Sequence, residues 1–285
     1  MILTRPKKDI QELALVAFQA GIKASEAILD IYARPYKHTE KADGSPITEA
    51  DRLSNKIITG MLAKTGVPLL SEESAVESYE VRSKWDFFWL IDPLDGTVEF
   101  INRNGEFTVN IALLVKNQPL LGMILAPVLN KAWWGIAGEN AYLINGLKPV
   151  ANQNEFQDIS QLIQKTPPAS GLNIGISRSH MEKKTFGLLD QIRSNNPEVK
   201  FIEKGSSLKF CDLVEGKTDL YARYSATSEW DTAAGHALLR AMGGEVFHIK
   251  EHQPISYNKR LLSNPGFIAF ARKEESSFFF EKFSF

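Results

Sequence analysis

The sequence predicts an α/β (α+β) protein built as two layered sub-domains. Three features carry that expectation: an amphipathic helix near the start, a block of closely spaced strands from Phe87 to about Ile144, and a regular strand–helix alternation from Asn173 to Ile249. The two patterns meet in residues 145–170, a polar stretch rich in turn formers such as Asn145-Gly146, Asn152 to Asn154 and Pro167-Pro168. This divides the chain into 1–150 and 151–273 and leaves a Phe-rich tail, 274–285.

In the first helix Ile10, Leu13, Ala17, Gly21, Ala24, Ile28 and Ile31 recur at spacings of three and four, placing them on one face until Pro35 ends the pattern. A second helix starts at Thr48, whose hydroxyl can cap it, with Asp51 at the third helical position and Leu53, Ile57, Met61 and Leu62 expected to face inward. Phe88–Ile91 reads as a short buried strand stopping at Asp92-Pro93. Thr108–Val115 and Leu120–Ala126 read as a hairpin joined by 116–119, and Trp133–Ala137 and Ala141–Ile144 flank a turn at 138–140. Beyond the boundary, strands are expected at Asn173–Ser177, Val199–Glu203, Leu220–Tyr224 and Glu245–Ile249. Helices are expected at Lys183–Ser194, Ser206–Glu215 and Trp230–Met242. The tail, with Phe278, Phe279, Phe280, Phe283 and Phe285, is expected to form a helix or strand packed on the surface.

Composition narrows the function classes. The 285 residues hold 33 Lys+Arg against 34 Asp+Glu, a balance that argues against a nucleic-acid binder but leaves room for a small anionic ligand. One cysteine, Cys211, excludes an internal disulfide and a Cys-cluster metal site and fits a reducing cytosol. The apolar runs Phe87–Ile91 and Ile111–Val115 are far too short to span a bilayer, and no signal peptide is read at the start.

The chemistry concentrates in acids at element ends. In Asp92-Pro93-Leu94-Asp95-Gly96-Thr97 a buried strand delivers two carboxylates and the Leu94 carbonyl to one spot, and Gly96-Thr97 permits a tight turn. A helix starting near Gly96 would point free N–H groups at the same place and favour an anion there. Oxygen-only ligands beside an anion suit Mg²⁺. Alone, each acid has a plainer reading: Asp-Pro and Asp-Gly make turns, Asp231 is an N-cap and Asp51 belongs to a capping box. Ser71-Glu72-Glu73-Ser74, after an apolar run, and Glu229-Trp230-Asp231-Thr232, at a helix start, shift the balance toward a shared site.

Together, Asp92-Pro93-Leu94-Asp95-Gly96-Thr97 and Trp230-Asp231 with Ala233-Ala234-Gly235 resemble the paired signature of the inositol-monophosphatase superfamily, metal- and lithium-sensitive phosphomonoesterases. The continuation from Glu99 to Leu113, with Gly205–Cys211 and Ser177-Arg178-Ser179-His180, resembles the 3'(2'),5'-bisphosphate nucleotidases of its bacterial CysQ branch. The resemblance runs from about residue 10 to Phe267. Val98 departs from it, standing where related sequences more often carry Lys, and so does the Phe-rich tail.

The resemblance implies a layered αβαβα sandwich with the active site between the sub-domains. Glu72, Asp92, Asp95, Asp231 and the Leu94 carbonyl would bind two Mg²⁺, and a third, weaker ion would use Asp51 through water. Such carboxylates repel one another unless cations, ~3.5–4 Å apart in two-metal sites, neutralise them. Thr97, hydrogen-bonded to Asp51, would orient the attacking water and accept its proton, with Glu72 as second acceptor. The Gly96 and Thr97 N–H groups would hold the scissile phosphate. Ser206, Lys209 and Arg223 would meet the second phosphate, and His180 the sugar or base. The implied reaction removes the 3'-phosphate of adenosine 3',5'-bisphosphate to give AMP, and extends to 3'-phosphoadenylyl sulfate, in sulfate assimilation. The substrate is a small nucleotide with no nucleic acid and no obligate protein partner. The resemblance implies a monomer rather than a dimer, in the cytoplasm or at the cytoplasmic face of the inner membrane. Two other readings compete: a sister phosphatase for inositol or sugar phosphates, and a non-catalytic nucleotide or metal sensor. A sensor should have lost a ligand or the threonine, yet Glu72, Asp92, Asp95, Thr97 and Asp231 are all present.

Overall fold

A computed structural model of the chain describes residues 7–41, 44–164, 171–179, 183–196 and 198–283. The chain begins with α1 (Lys7–Tyr32), the hairpin β1 (His38–Glu40) and β2 (Pro46–Thr48), and α2 (Glu49–Leu62). There follow β3 (Leu69–Ser71), α3 (Tyr79–Arg82), β4 (Phe87–Asp95) and α4 (Thr97–Ile101). A meander of β5 (Thr108–Val115), β6 (Gln118–Ala126), β7 (Lys131–Ile136) and β8 (Ala141–Asn145) leads to α5 (Gln153–Asp158) and β9 (Gln161–Leu162). The alternating part comprises β10 (Asn173–Ser177), α6 (Lys183–Asn195), β11 (Lys200–Lys204), α7 (Leu208–Val214), β12 (Leu220–Arg223) and β13 (Thr227–Ser228). It continues with α8 (Glu229–Met242), β14 (Glu245–His248), β15 (Ser263–Asn264), β16 (Phe267–Phe270) and α9 (Glu275–Lys282).

Strands β3 to β9 form one seven-stranded sheet in chain order, and β11-β10-β12-β16-β14 form a five-stranded sheet. Helices α1 and α2 cover the outer face of the first sheet, and α7 and α8 fill the space between the sheets. Helices α6 and α9 cover the far face of the second. This is the αβαβα stack expected from the sequence. Strand alternation explains it: in β4, Trp89 and Ile91 enter the outer core while Phe88 and Leu90 enter the middle one. In β16, Phe267 and Ala269 face the middle core, while Ile268 and Phe270 face α6 and α9. Strands covered on both faces read as unbroken apolar runs.

Three local expectations are corrected. Leu53 is exposed, because the inward stripe of α2 consists of Ala50, Ser54, Ile58 and Leu62. Two of those are small residues that an apolar pattern overlooks, and the Ser54 hydroxyl donates to the Pro93 carbonyl at 2.6 Å. The hairpin between β5 and β6 turns on Lys116 and Asn117 alone, at φ 46° and 63°, the left-handed pair whose twist suits a two-residue loop. Helix α7 starts two residues late, at Leu208, since Ser206 and Ser207 are drawn to Asp95.

The tail forms α9, which buries Phe279 and Phe283 against the second sheet and leaves Phe278 exposed; Phe285 lies outside the described residues. Among the described residues no helix is long and apolar enough to cross a membrane.

Candidate active site

The site is built at the end of β4. Pairing with β5 slips between Asp92 and Asp95, so Pro93 and Leu94 bulge out, and the Leu94 N–H donates to Asp92 Oδ1 at 3.0 Å. Gly96 then turns the chain at φ 92°, a left-handed conformation open to glycine. A Cβ there would also lie 3.3 Å from the Glu106 carbonyl. Thr97 opens α4, and its hydroxyl donates to Asp51 Oδ1 at 3.0 Å. The other Asp51 oxygen takes the Thr48 N–H and hydroxyl, closing the capping box of α2. One carboxylate thus carries both the cap of α2 and the contact to Thr97.

Asp231 behaves in the same way. It closes the capping box of α8 by accepting from the Ser228 N–H at 2.8 Å. Its carboxylate also meets Glu72, at the end of β3, and Asp92: one oxygen from each lies within 4.8 Å of the others. Burial pushes all three pKa values up; repulsion from Glu72 and Asp95 adds to it at Asp231, raised to about 8, and at buried Asp92, raised well above the usual carboxylate range. At Glu72 the Lys41 ammonium opposes the rise and Glu73 adds to it. Asp95 completes the group from the side, its Oδ2 held by the Ser206 and Ser207 hydroxyls at 2.7 and 2.8 Å and by Asn110 Nδ2 at 3.3 Å. A cleft of about 260 Å³ opens over Glu72, Asp92, Asp95, Thr97 and Asp231 and continues to Lys209 and Arg223. The apolar Val98 side chain lines the same cleft.

Lys209 is buried beneath this cleft, its ammonium donating to the Lys204 and Ser206 carbonyls at 3.1 and 2.6 Å. Burial lowers its pKa to about 8, nearby acids opposing. Arg223 Nε donates to the Ser225 hydroxyl at 2.8 Å. His180 lies outside the described residues. Sequence reading missed Lys41, whose ammonium lies 2.6 Å from Glu72 and 2.5 Å from Glu73. It also missed Ser207 and Asn110, which steady Asp95 from distant segments. Nothing in local spacing marks those three.

The model of the inositol monophosphatase family matches residues 9–284. The 3'(2'),5'-bisphosphate nucleotidase CysQ of Escherichia coli K12 is 40% identical over 254 residues, 87% of this chain and 96% of that protein. Its counterpart from Salmonella typhimurium is 39% identical over the same shares. The crystal structure of CysQ from Bacteroides thetaiotaomicron, a bacterial member of the inositol monophosphatase family, superposes with a TM-score of 0.84 at 41% identity, covering 92% of this chain and 98% of that one.

Proposed function

The chain belongs to the inositol monophosphatase family, and from that premise we propose that it is a magnesium-dependent phosphomonoesterase removing the 3'-phosphate of adenosine 3',5'-bisphosphate to give AMP and phosphate. The observation that carries the reading is the convergence of Glu72, Asp92 and Asp231 beside Thr97 and Asp95, in a cleft that also holds a buried lysine. The named activity of the similar CysQ proteins supports the substrate.

The donor set fits magnesium: hard carboxylate oxygens, crowded enough to resist ionisation, with no nitrogen or sulfur donor among them. Glu72, Asp92, Asp95, Asp231 and the Leu94 carbonyl would hold two ions, and Asp51 a third through water. When bound, magnesium neutralises these acids, steadies charge on the phosphoryl oxygens and makes water a better nucleophile. Thr97 Oγ1 donates its hydrogen bond to Asp51 Oδ1, which leaves its lone pairs to accept from the attacking water. Proton transfer can then run from water to Thr97 and on to Asp51, whose carboxyl burial raises toward accepting it. Glu72 serves as a second acceptor at the cleft edge. The Gly96 and Thr97 N–H groups would hold the scissile phosphate, so positioning and charge do most of the work.

Lys209 and Ser206, with Arg223, would receive the second phosphate. An ammonium held by two neutral carbonyls and the Tyr221 ring, rather than by a carboxylate, leaves its charge available to an anion. Lys209→Ala is expected to raise KM for the bisphosphate far more than for a simple monophosphate; equal effects would refute the assignment. Because Lys209 is cationic below about pH 8 and neutral above it, the bisphosphate advantage in kcat/KM should shrink above that pH at saturating magnesium.

The decisive measurement is phosphate release from adenosine 3',5'-bisphosphate, AMP and inositol 1-phosphate, with and without magnesium. The bisphosphate alone should turn over rapidly, and only with the metal. Faster release from inositol 1-phosphate would overturn the substrate in favour of the sister class, and no release from any would favour a sensor.

A further inference from the structure

Helix α4 and the loop after it grip the far side of the cleft through two carboxylates, Glu99 and Glu106. Glu106 accepts from Arg178 Nε at 2.9 Å and Nη2 at 3.2 Å, a two-pronged pair at the end of β10. The same carboxylate accepts from the Gly205 N–H at 2.8 Å and lies 3.6 Å from the Lys204 ammonium at the end of β11. Seven residues earlier, buried Glu99 accepts from the Ser179 hydroxyl at 2.6 Å, so Arg178 and Ser179 are held consecutively. Gly205 sits so closely on this segment that a Cβ would come within 2.6 Å of Glu99 Cγ and 2.9 Å of the Glu106 carbonyl. The next residue, Ser206, adopts φ 51° with its hydroxyl on Asp95, and its carbonyl receives the Lys209 ammonium.

These contacts form one mechanical path. The Glu106 carbonyl backs the Gly96 turn, and the Glu106 carboxylate fixes Gly205 and Arg178. Gly205 in turn fixes Ser206, and Ser206 and Lys204 carbonyls place Lys209. The distance between the metal ligands and the buried cation therefore depends on a latch between the two halves of the chain. Although burial works against ionisation, Arg178, the Gly205 N–H and Lys204 keep the Glu106 carboxyl below the usual carboxylate range, so the latch is ionised at neutral pH.

We propose that Glu106, acting with Arg178, is a positioning residue for substrate choice: its carboxylate sets the Gly205–Lys209 turn at the span a bisphosphate requires, without touching the substrate. This rests on the reading of the substrate given above. A ground-state contact displaced by a fraction of an ångström loses binding, whereas Asp92, Asp231 and Thr97 are built from other elements and Asp95 keeps its Ser207 and Asn110 partners when Ser206 shifts.

The test compares adenosine 3',5'-bisphosphate with 3'-AMP, which carries the same scissile phosphate and lacks the second one. Glu106→Gln is expected to raise KM for the bisphosphate about tenfold or more, with kcat, KM for 3'-AMP and Tm near wild type. Arg178→Ala should act in the same direction, and the double variant should add little to either single change. Equal loss on both substrates together with a fall in Tm would make the pair a structural contact only and overturn the proposal. So would an unchanged bisphosphate-to-3'-AMP ratio in both variants. If Glu106→Gln fails to fold, half-exposed Arg178→Ala carries the test alone under the same criteria. A wild-type protein with no preference for the bisphosphate would instead defeat the substrate reading itself, an outcome seen before any variant is made.

Discussion

Asp92→Asn is expected to lose magnesium-dependent phosphate release on the order of 10²–10³-fold and yet to melt higher than the wild type in EDTA. Both effects come from the same crowding. Asp92 is 1% exposed, and its charge is opposed first by burial and then by Glu72, Asp95 and Asp231. Asparagine keeps the acceptor that the Leu94 N–H uses and offers an amide that a neighbouring carboxylate can accept. It removes the charge, and with it the reason for a divalent ion to bind. Stability should follow pH accordingly. Asp231 is raised to about 8, so between the ordinary carboxylate range and about pH 8 the folded metal-free protein holds protons that the unfolded chain has released. Raising the pH through that window therefore weakens the metal-free fold. Magnesium binds the ionised form, so its gain in Tm should grow as pH approaches 8 in the wild type and vanish in Asp92→Asn. Differential scanning fluorimetry at pH 6, 7 and 8, with magnesium or EDTA, reads all three. A wild-type magnesium shift that is flat across this range would remove the case for a metal-dependent carboxylate cluster.

How much of this was legible in the sequence depends on range. Asp92, Asp95 and Thr97 lie on one turn, so the apolar strand before them and the glycine between them announce the geometry. Asp51 was legible in its capping box, whereas Asp231, expected as the N-cap of its helix, sits at the third helical position with Ser228 as the cap, because the helix starts earlier than its apolar pattern suggests. The role proposed for them beyond capping depends on α2 and α8 starting near the same place from opposite faces of the first sheet, which only the paired motifs suggested. The contacts that tune the site were not legible. Lys41 reaches Glu72 from a hairpin, Ser207 reaches Asp95 across 112 positions and Arg178 reaches Glu106 across 72. No local periodicity encodes a meeting between segments that lie on different sheets. Leu53 failed for a different reason. Its helix packs small residues inward so that Ser54 can approach the Pro93 carbonyl, and hydrophobicity alone points to the wrong face.

Gly122→Ala should produce the largest loss of stability for the smallest chemical change. Gly122 lies in β6 directly beneath α8, and an added Cβ would come within 2.2 Å of the Ala234 carbonyl oxygen and 2.9 Å of Ala237 Cβ. The first of these is helix backbone and cannot swing aside, so the helix must lift from the sheet. Overpacking of a closed core costs about 1–3 kcal/mol, and Gly122→Val should exceed Gly122→Ala. The same substitution at Gly60, exposed within α2 with nothing within 4 Å, should instead stabilise by about 0.5–1 kcal/mol through helix propensity. Opposite signs for one added methyl would isolate packing from backbone entropy. Because α8 carries Asp231 at its first turn, lifting it also parts Asp231 from Asp92. Gly122→Ala should therefore need more magnesium for half-maximal activity, while Gly60→Ala should not. Denaturant unfolding and a magnesium titration of phosphate release measure the two consequences separately. Normal stability in Gly122→Ala would mean that the helix and the sheet do not meet as closely as 2.2 Å implies. Lost stability with unchanged magnesium dependence would mean that the α8 terminus is held by its own capping network rather than by the sheet beneath it.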